Sequence, residues 1–142
     1  MIAIAAALII PAGQSFACTP VRVWDGDGPI WCAEGPRVRL AAIGAREIDG
    51  SCRRHQPCPK MSGVAARDVL VRLLGGARGV TPDGHVIVAA PAMRCRSAGS
   101  AKGDRTAAWC SLRGVGDLSC ALVRAGAAAR WRWFGGDRVC RR

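Results

Sequence analysis

Asp25-Gly26-Asp27, Arg39 and Glu47 are the residues whose types and spacing best suit phosphodiester chemistry. One glycine between the two aspartates lets the chain turn tightly while both carboxylates stay near one point. A carboxylate pair can hold a hard cation, an arginine fork can clamp a phosphate, and a glutamate can take a proton from water. Arg39 lies in the alternating run Arg37-Val38-Arg39-Leu40, and Glu47 follows in a turn. The same Asp-Gly-Asp-Gly run also has the composition of a plain hairpin turn. An EF-hand reading fails, because its twelfth position is Pro36 where glutamate is required. His55 and His85 stand apart from any serine–aspartate arrangement, so a nucleophilic triad has no support.

The elements that would position these residues are legible from periodicity. Residues 18–43 alternate as strands do, with Val21, Val23, Ile30, Val38, Leu40 and Ala42 pointing inward. Residues 49–60 are polar and read as a loop clipped by Cys52–Cys58. A helix is expected from Ser62, with Ala66, Val69, Leu70, Leu73 and Leu74 on one face and Gly75-Gly76 as its stop. Strands follow over His85–Ala90, Met93–Ser97 and Arg105–Leu112, which makes Cys95 and Cys110 neighbours on adjacent strands. A second helix starts after Asp117, carries Leu118, Ala121, Leu122 and Ala125, and closes at Gly126.

A chain of 142 residues suits one core. Met1–Ala17 is almost wholly apolar and ends Ser15-Phe16-Ala17, a pattern expected of a secretory signal, leaving residues 18–142 as the domain. Pro11 and Gly13 interrupt that run too early for a stable membrane span. The 8 cysteines support export to the periplasm or beyond, where disulfides persist. Zinc is disfavoured because Cys52 and Cys58 are too far apart for a knuckle and no second pair accompanies them. The net charge of +11 comes from 21 basic against 10 acidic residues, a balance that draws polyanions such as nucleic acid. Trp131-Arg132-Trp133-Phe134 reads in two ways, as a base-stacking segment or as packing at the end of the last helix, and packing is the expectation.

From Val21 to Trp133 the chain resembles the staphylococcal-type thermonucleases. The likeness is carried by Asp25-Gly26-Asp27, Val38-Arg39-Leu40, Glu47, Gly103-Asp104-Arg105-Thr106-Ala107-Ala108-Trp109 and Leu118-Ser119-Cys120-Ala121-Leu122-Val123-Arg124-Ala125-Gly126. The resemblance implies an α+β fold: a five-stranded OB-fold Greek-key barrel with two or three appended helices, acting as a monomer. It implies cleavage of DNA or RNA with Ca2+. Asp27 would ligate the metal with Asp25 in support. Arg39 and Arg105 would bind the phosphate and its developing charge, and Glu47 would activate the attacking water.

The chain departs from that pattern where a second metal carboxylate is expected, reading Gly44-Ala45-Arg46-Glu47. Gly44 has no side chain, so the calcium site is incomplete. Three readings follow: a carboxylate arrives from Asp49 or Asp104, Arg46 supplies charge in the metal's place, or the chain is a catalytically inactive, disulfide-stapled basic module that binds nucleic acid or other polyanions.

Overall fold

The computed structural model describes residues 7–141. The expected leader therefore lies partly outside the described residues. Its last part, Ser15–Ala17, belongs to a strand. Five strands come first: β1 (Ser15–Cys18), β2 (Pro20–Asp25), β3 (Gly28–Cys32), β4 (Arg37–Leu40) and β5 (Ile43–Gly44). Helix α1 (Gly63–Leu73) precedes β6 (Gly79–Val80), β7 (Val86–Ile87), β8 (Met93–Ser100), β9 (Thr106–Leu112) and β10 (Gly116–Asp117). Helix α2 (Leu118–Arg124), β11 (Ala129–Arg130) and two 3-10 turns, Arg132–Phe134 and Gly136–Arg138, complete the order.

The main sheet runs β1-β8-β9-β4-β3-β2-β7-β6, with β10 on β9, while β5 pairs separately with β11. It is mixed, because β4 and β9 are parallel whereas the other pairs are antiparallel. The fold is thus sheet-rich α+β with two helices among the described residues. Among the described residues the sheet does not close into a barrel. Both edges of β8 are taken by β1 and β9, and both edges of β2 by β3 and β7, so no seam is left to close.

Val23, Ile30, Val38 and Leu40 are fully buried, as their alternation predicts. Each such side chain contributes about 1.5–3 kcal/mol relative to exposure. Val21 is corrected to an exposed position, because a bulge between Pro20 and Arg22 shifts the register of β2 on β3. Both helix starts follow the sequence expectation. Ser62 Oγ accepts from the Ala65 N–H at 3.1 Å, and Asp117 Oδ1 accepts from the Cys120 N–H at 3.0 Å. Caps of this kind are worth about 1 kcal/mol each.

Four disulfides tie the sheet, the loop and the C-terminal segment together. The expected pairs Cys52–Cys58 and Cys95–Cys110 are present, joined by Cys18–Cys32 and Cys120–Cys140. This framework suits an oxidising compartment. No helix among the described residues is long and apolar enough to cross a membrane.

Candidate phosphodiester cleft

The turn between β2 and β3 places Asp25 and Asp27 at the floor of a cleft of about 600 Å³. Arg39 from β4, Glu47 after β5 and Arg105 before β9 line the same cleft, so all five expected site residues converge there. Six basic side chains (Arg39, Arg53, Arg54, Lys102, Arg105 and Arg138) face three acidic ones. The excess of positive charge suits a polyanion.

Asp25 and Asp27 are both buried, at 5 % and 6 % exposure. The Asp27 N–H donates to Asp25 Oδ1 at 3.2 Å, so the tight turn closes on its own side chain. Burial, the neighbouring Asp27 charge and a hydrogen bond between the carboxyls raise the Asp25 pKa to about 9. Burial and the Asp27 charge thus favour the protonated form of Asp25. Asp27 Oδ2 accepts from the Ala45 N–H at 2.9 Å, from Arg39 Nη2 at 3.3 Å and from Gln56 Nε2 at 3.4 Å.

Arg39 is fixed at both ends of its fork. Nη1 donates to the Ile43 carbonyl at 3.1 Å while Nη2 meets Asp27. Arg105 takes part in no side-chain hydrogen bond or ion pair among the described residues, which leaves its guanidinium for a ligand. Glu47 is paired with Arg53, Oε1 to Nε, at 3.0 Å. The start of α1 sits directly behind Glu47: a Cβ on Gly63 would overlap the Glu47 carbonyl oxygen, so only glycine allows this approach.

The segment after α2 forms one rim. The Trp131 N–H donates to the Ala42 carbonyl at 2.8 Å, which brings the indole within 5.2 Å of the Arg39 guanidinium. Phe134 packs edge-on against Trp131 with centroids 4.8 Å apart. Trp133 is 87 % exposed and Phe134 58 % exposed. The expectation that one or both tryptophans pack here is met by Trp131 alone, while Trp133 stands in solvent.

The three substitutes considered for the missing carboxylate lie elsewhere. Asp49 accepts from the Ser51 N–H and hydroxyl, and Asp104 pairs with Arg37. Arg46 donates to the carbonyls of Pro59 at 2.7 Å and Gly50 at 2.8 Å, holding the 49–60 loop instead of the cleft. The space beside Gly44 is taken by Gln56, which sequence reasoning passed over. A Cβ at Gly44 would meet Gln56 Cγ and Pro57 Cγ, each at 2.9 Å. A glutamine in a polar loop carries no signal of its own; only the adjacent disulfide hints that the loop is shaped.

These donors do not suit a calcium ion, which takes about six to eight oxygens. Three N–H groups already converge on Asp27 Oδ2, and no group of three or more His, Cys, Asp or Glu among the described residues is disposed to hold a metal. His55 is an exposed loop residue, and His85 packs between Trp24 and Trp31 at 5.0 and 5.2 Å, where burial lowers its pKa. No family model matches the chain, nor does any curated protein or solved structure.

Proposed function

We propose that the cleft is a nucleic-acid phosphodiester site of the thermonuclease type, in an exported or periplasmic protein. The observation that carries this reading is the convergence on one cleft of Asp25, Asp27, Arg39, Glu47 and Arg105, which are dispersed over three separate regions of the sequence. The strand order β2-β3-β4-β9-β8 supports kinship with a partly open OB-type barrel.

In this reading a strand's phosphate bridges Arg39 and Arg105, whose guanidiniums offset the charge that grows during attack. Glu47 takes a proton from the attacking water. The new P–O bond forms as the bond to the leaving oxygen breaks, and solvent returns a proton to that oxygen. Asp27 positions Arg39 through the 3.3 Å contact. Flanking bases stack on the exposed rings of Trp133 and Phe134. No step passes through a metal.

A second reading, binding of nucleic acid without cleavage, is favoured by one contact. Arg53 sits on Glu47 and competes with water for its carboxylate. Incubation of labelled single-stranded DNA and RNA with the protein, in chelator and in calcium, separates the two. Shortened products support hydrolysis; intact strands in both buffers, with retention of the oligonucleotide, sink it in favour of the binding module.

A further inference from the structure

The loop closed by Cys52–Cys58 lines the cleft with Arg53, Arg54 and Gln56, and two of these, Arg53 and Gln56, touch the expected site residues. Gln56 fills the volume that a side chain at position 44 would need, since a Cβ there would lie 3.0 Å from Gln56 Nε2. From that position its amide donates to Asp27 Oδ2 at 3.4 Å and to the Ala45 carbonyl at 3.1 Å. Both oxygens are ones that a hard cation at this point would claim. Arg53 meets Glu47 at 3.0 Å, and Arg39 meets Asp27 at 3.3 Å. Two guanidiniums therefore bring two positive charges to the two carboxylates, the charge of one divalent ion.

We infer that the disulfide-closed 52–58 loop, together with Arg39, is a built-in replacement for a divalent cation, so that the cleft takes a phosphodiester without metal. This deepens the phosphodiester reading and rests on it for the ligand. The disulfide matters because a loop of this length, left open, would lose its shape to chain entropy. Gln56 is a positioning residue: it holds Asp27 and the Ala45 carbonyl, and touches no reacting atom. Arg53 is half exposed and can exchange Glu47 for a ligand phosphate.

The test uses the full oxidised chain with calcium chloride alone and, separately, a fluorescent oligothymidylate in chelator and in calcium at constant ionic strength. The wild type is expected to melt within about 1 °C in both buffers and to bind the oligonucleotide with affinities within about twofold. Gln56→Glu adds an oxygen donor beside Asp27 and is expected to gain a calcium-dependent rise in Tm of about 3–5 °C. If that variant does not fold, Gly44→Asp combined with Gln56→Gly and Pro57→Gly clears both side chains that a Cβ at position 44 would meet and returns a carboxylate, with the same expectation. A calcium-dependent rise in the wild type, oligonucleotide binding that requires calcium, or a folded acidic variant as indifferent to calcium as the wild type overturns the inference. Failure to bind the oligonucleotide in either buffer overturns the phosphodiester reading instead.

Discussion

Arg53 Nε lies 3.0 Å from Glu47 Oε1, and the arginine side of the pair is 52 % exposed against 23 % for the glutamate. An ion pair this open contributes about 0–1 kcal/mol to stability. Arg53→Ala is therefore expected to leave the Tm nearly unchanged. Its effect falls on ligand affinity: oligonucleotide binding weakens, and the slope of log affinity against log salt drops by about one. Titrations of wild type and variant at several salt concentrations measure this, and an unchanged slope would remove Arg53 from the phosphate-binding set.

Trp133 stands 87 % exposed beside an arginine-rich cleft, so its burial stabilises little. Trp133→Ala is expected to leave stability intact and to weaken binding of single-stranded oligonucleotide by about 1–3 kcal/mol. Fluorescence anisotropy against a melting curve separates the two effects. A loss of Tm with affinity preserved would show that the ring packs and does not stack.

Asp25 links stability to pH. Its folded pKa is raised from 3.8 to about 9, chiefly by burial and then by the charge of Asp27. Between those values the folded chain keeps a proton that the unfolded chain has released, so this group's contribution is full at low pH and is lost as pH rises through the folded pKa. Asp25→Asn keeps the oxygen that accepts from the Asp27 N–H and removes the titration. It is expected to gain on the order of 2 kcal/mol near pH 8 and to flatten the stability profile. Urea midpoints across pH test this; parallel profiles for wild type and variant would contradict it.

Cys52–Cys58 closes a surface loop, whereas Cys95–Cys110 bridges the buried centre of β8 and β9. The double change Cys52→Ser with Cys58→Ser is expected to cost about 2 kcal/mol at most and to leave the sheet folded. Oligonucleotide affinity should fall more than stability, because Arg53 and Gln56 lose their placement. Circular dichroism beside binding curves checks this, and undiminished affinity would show that the loop does not shape the cleft.

Much of this arrangement is legible in the sequence. Ser62 and Asp117 marked both helix starts because a side-chain oxygen at an N-cap leaves a local signature. Cys95–Cys110 followed from strand adjacency. Long-range consequences were harder to read. The pairs Cys18–Cys32 and Cys120–Cys140 join elements whose proximity only the fold creates. Ser15–Ala17, whose small-x-small pattern suits the end of a leader, pair with β8 on the edge away from β9. The five site residues are legible in their order, but Gln56 is not. Its role depends on empty space beside Gly44, and a missing side chain in one segment does not name its occupant in another.

The cleavage rate of the Glu47→Gln protein on single-stranded DNA or RNA, measured beside its oligonucleotide affinity, tests the phosphodiester site most directly. The substitution keeps shape and removes the base, so a fall of about a hundredfold or more in rate is expected, with affinity held within about threefold. Cleavage by the variant at the wild-type rate would contradict Glu47 as the group that activates water, and with it the thermonuclease-type reading of this cleft.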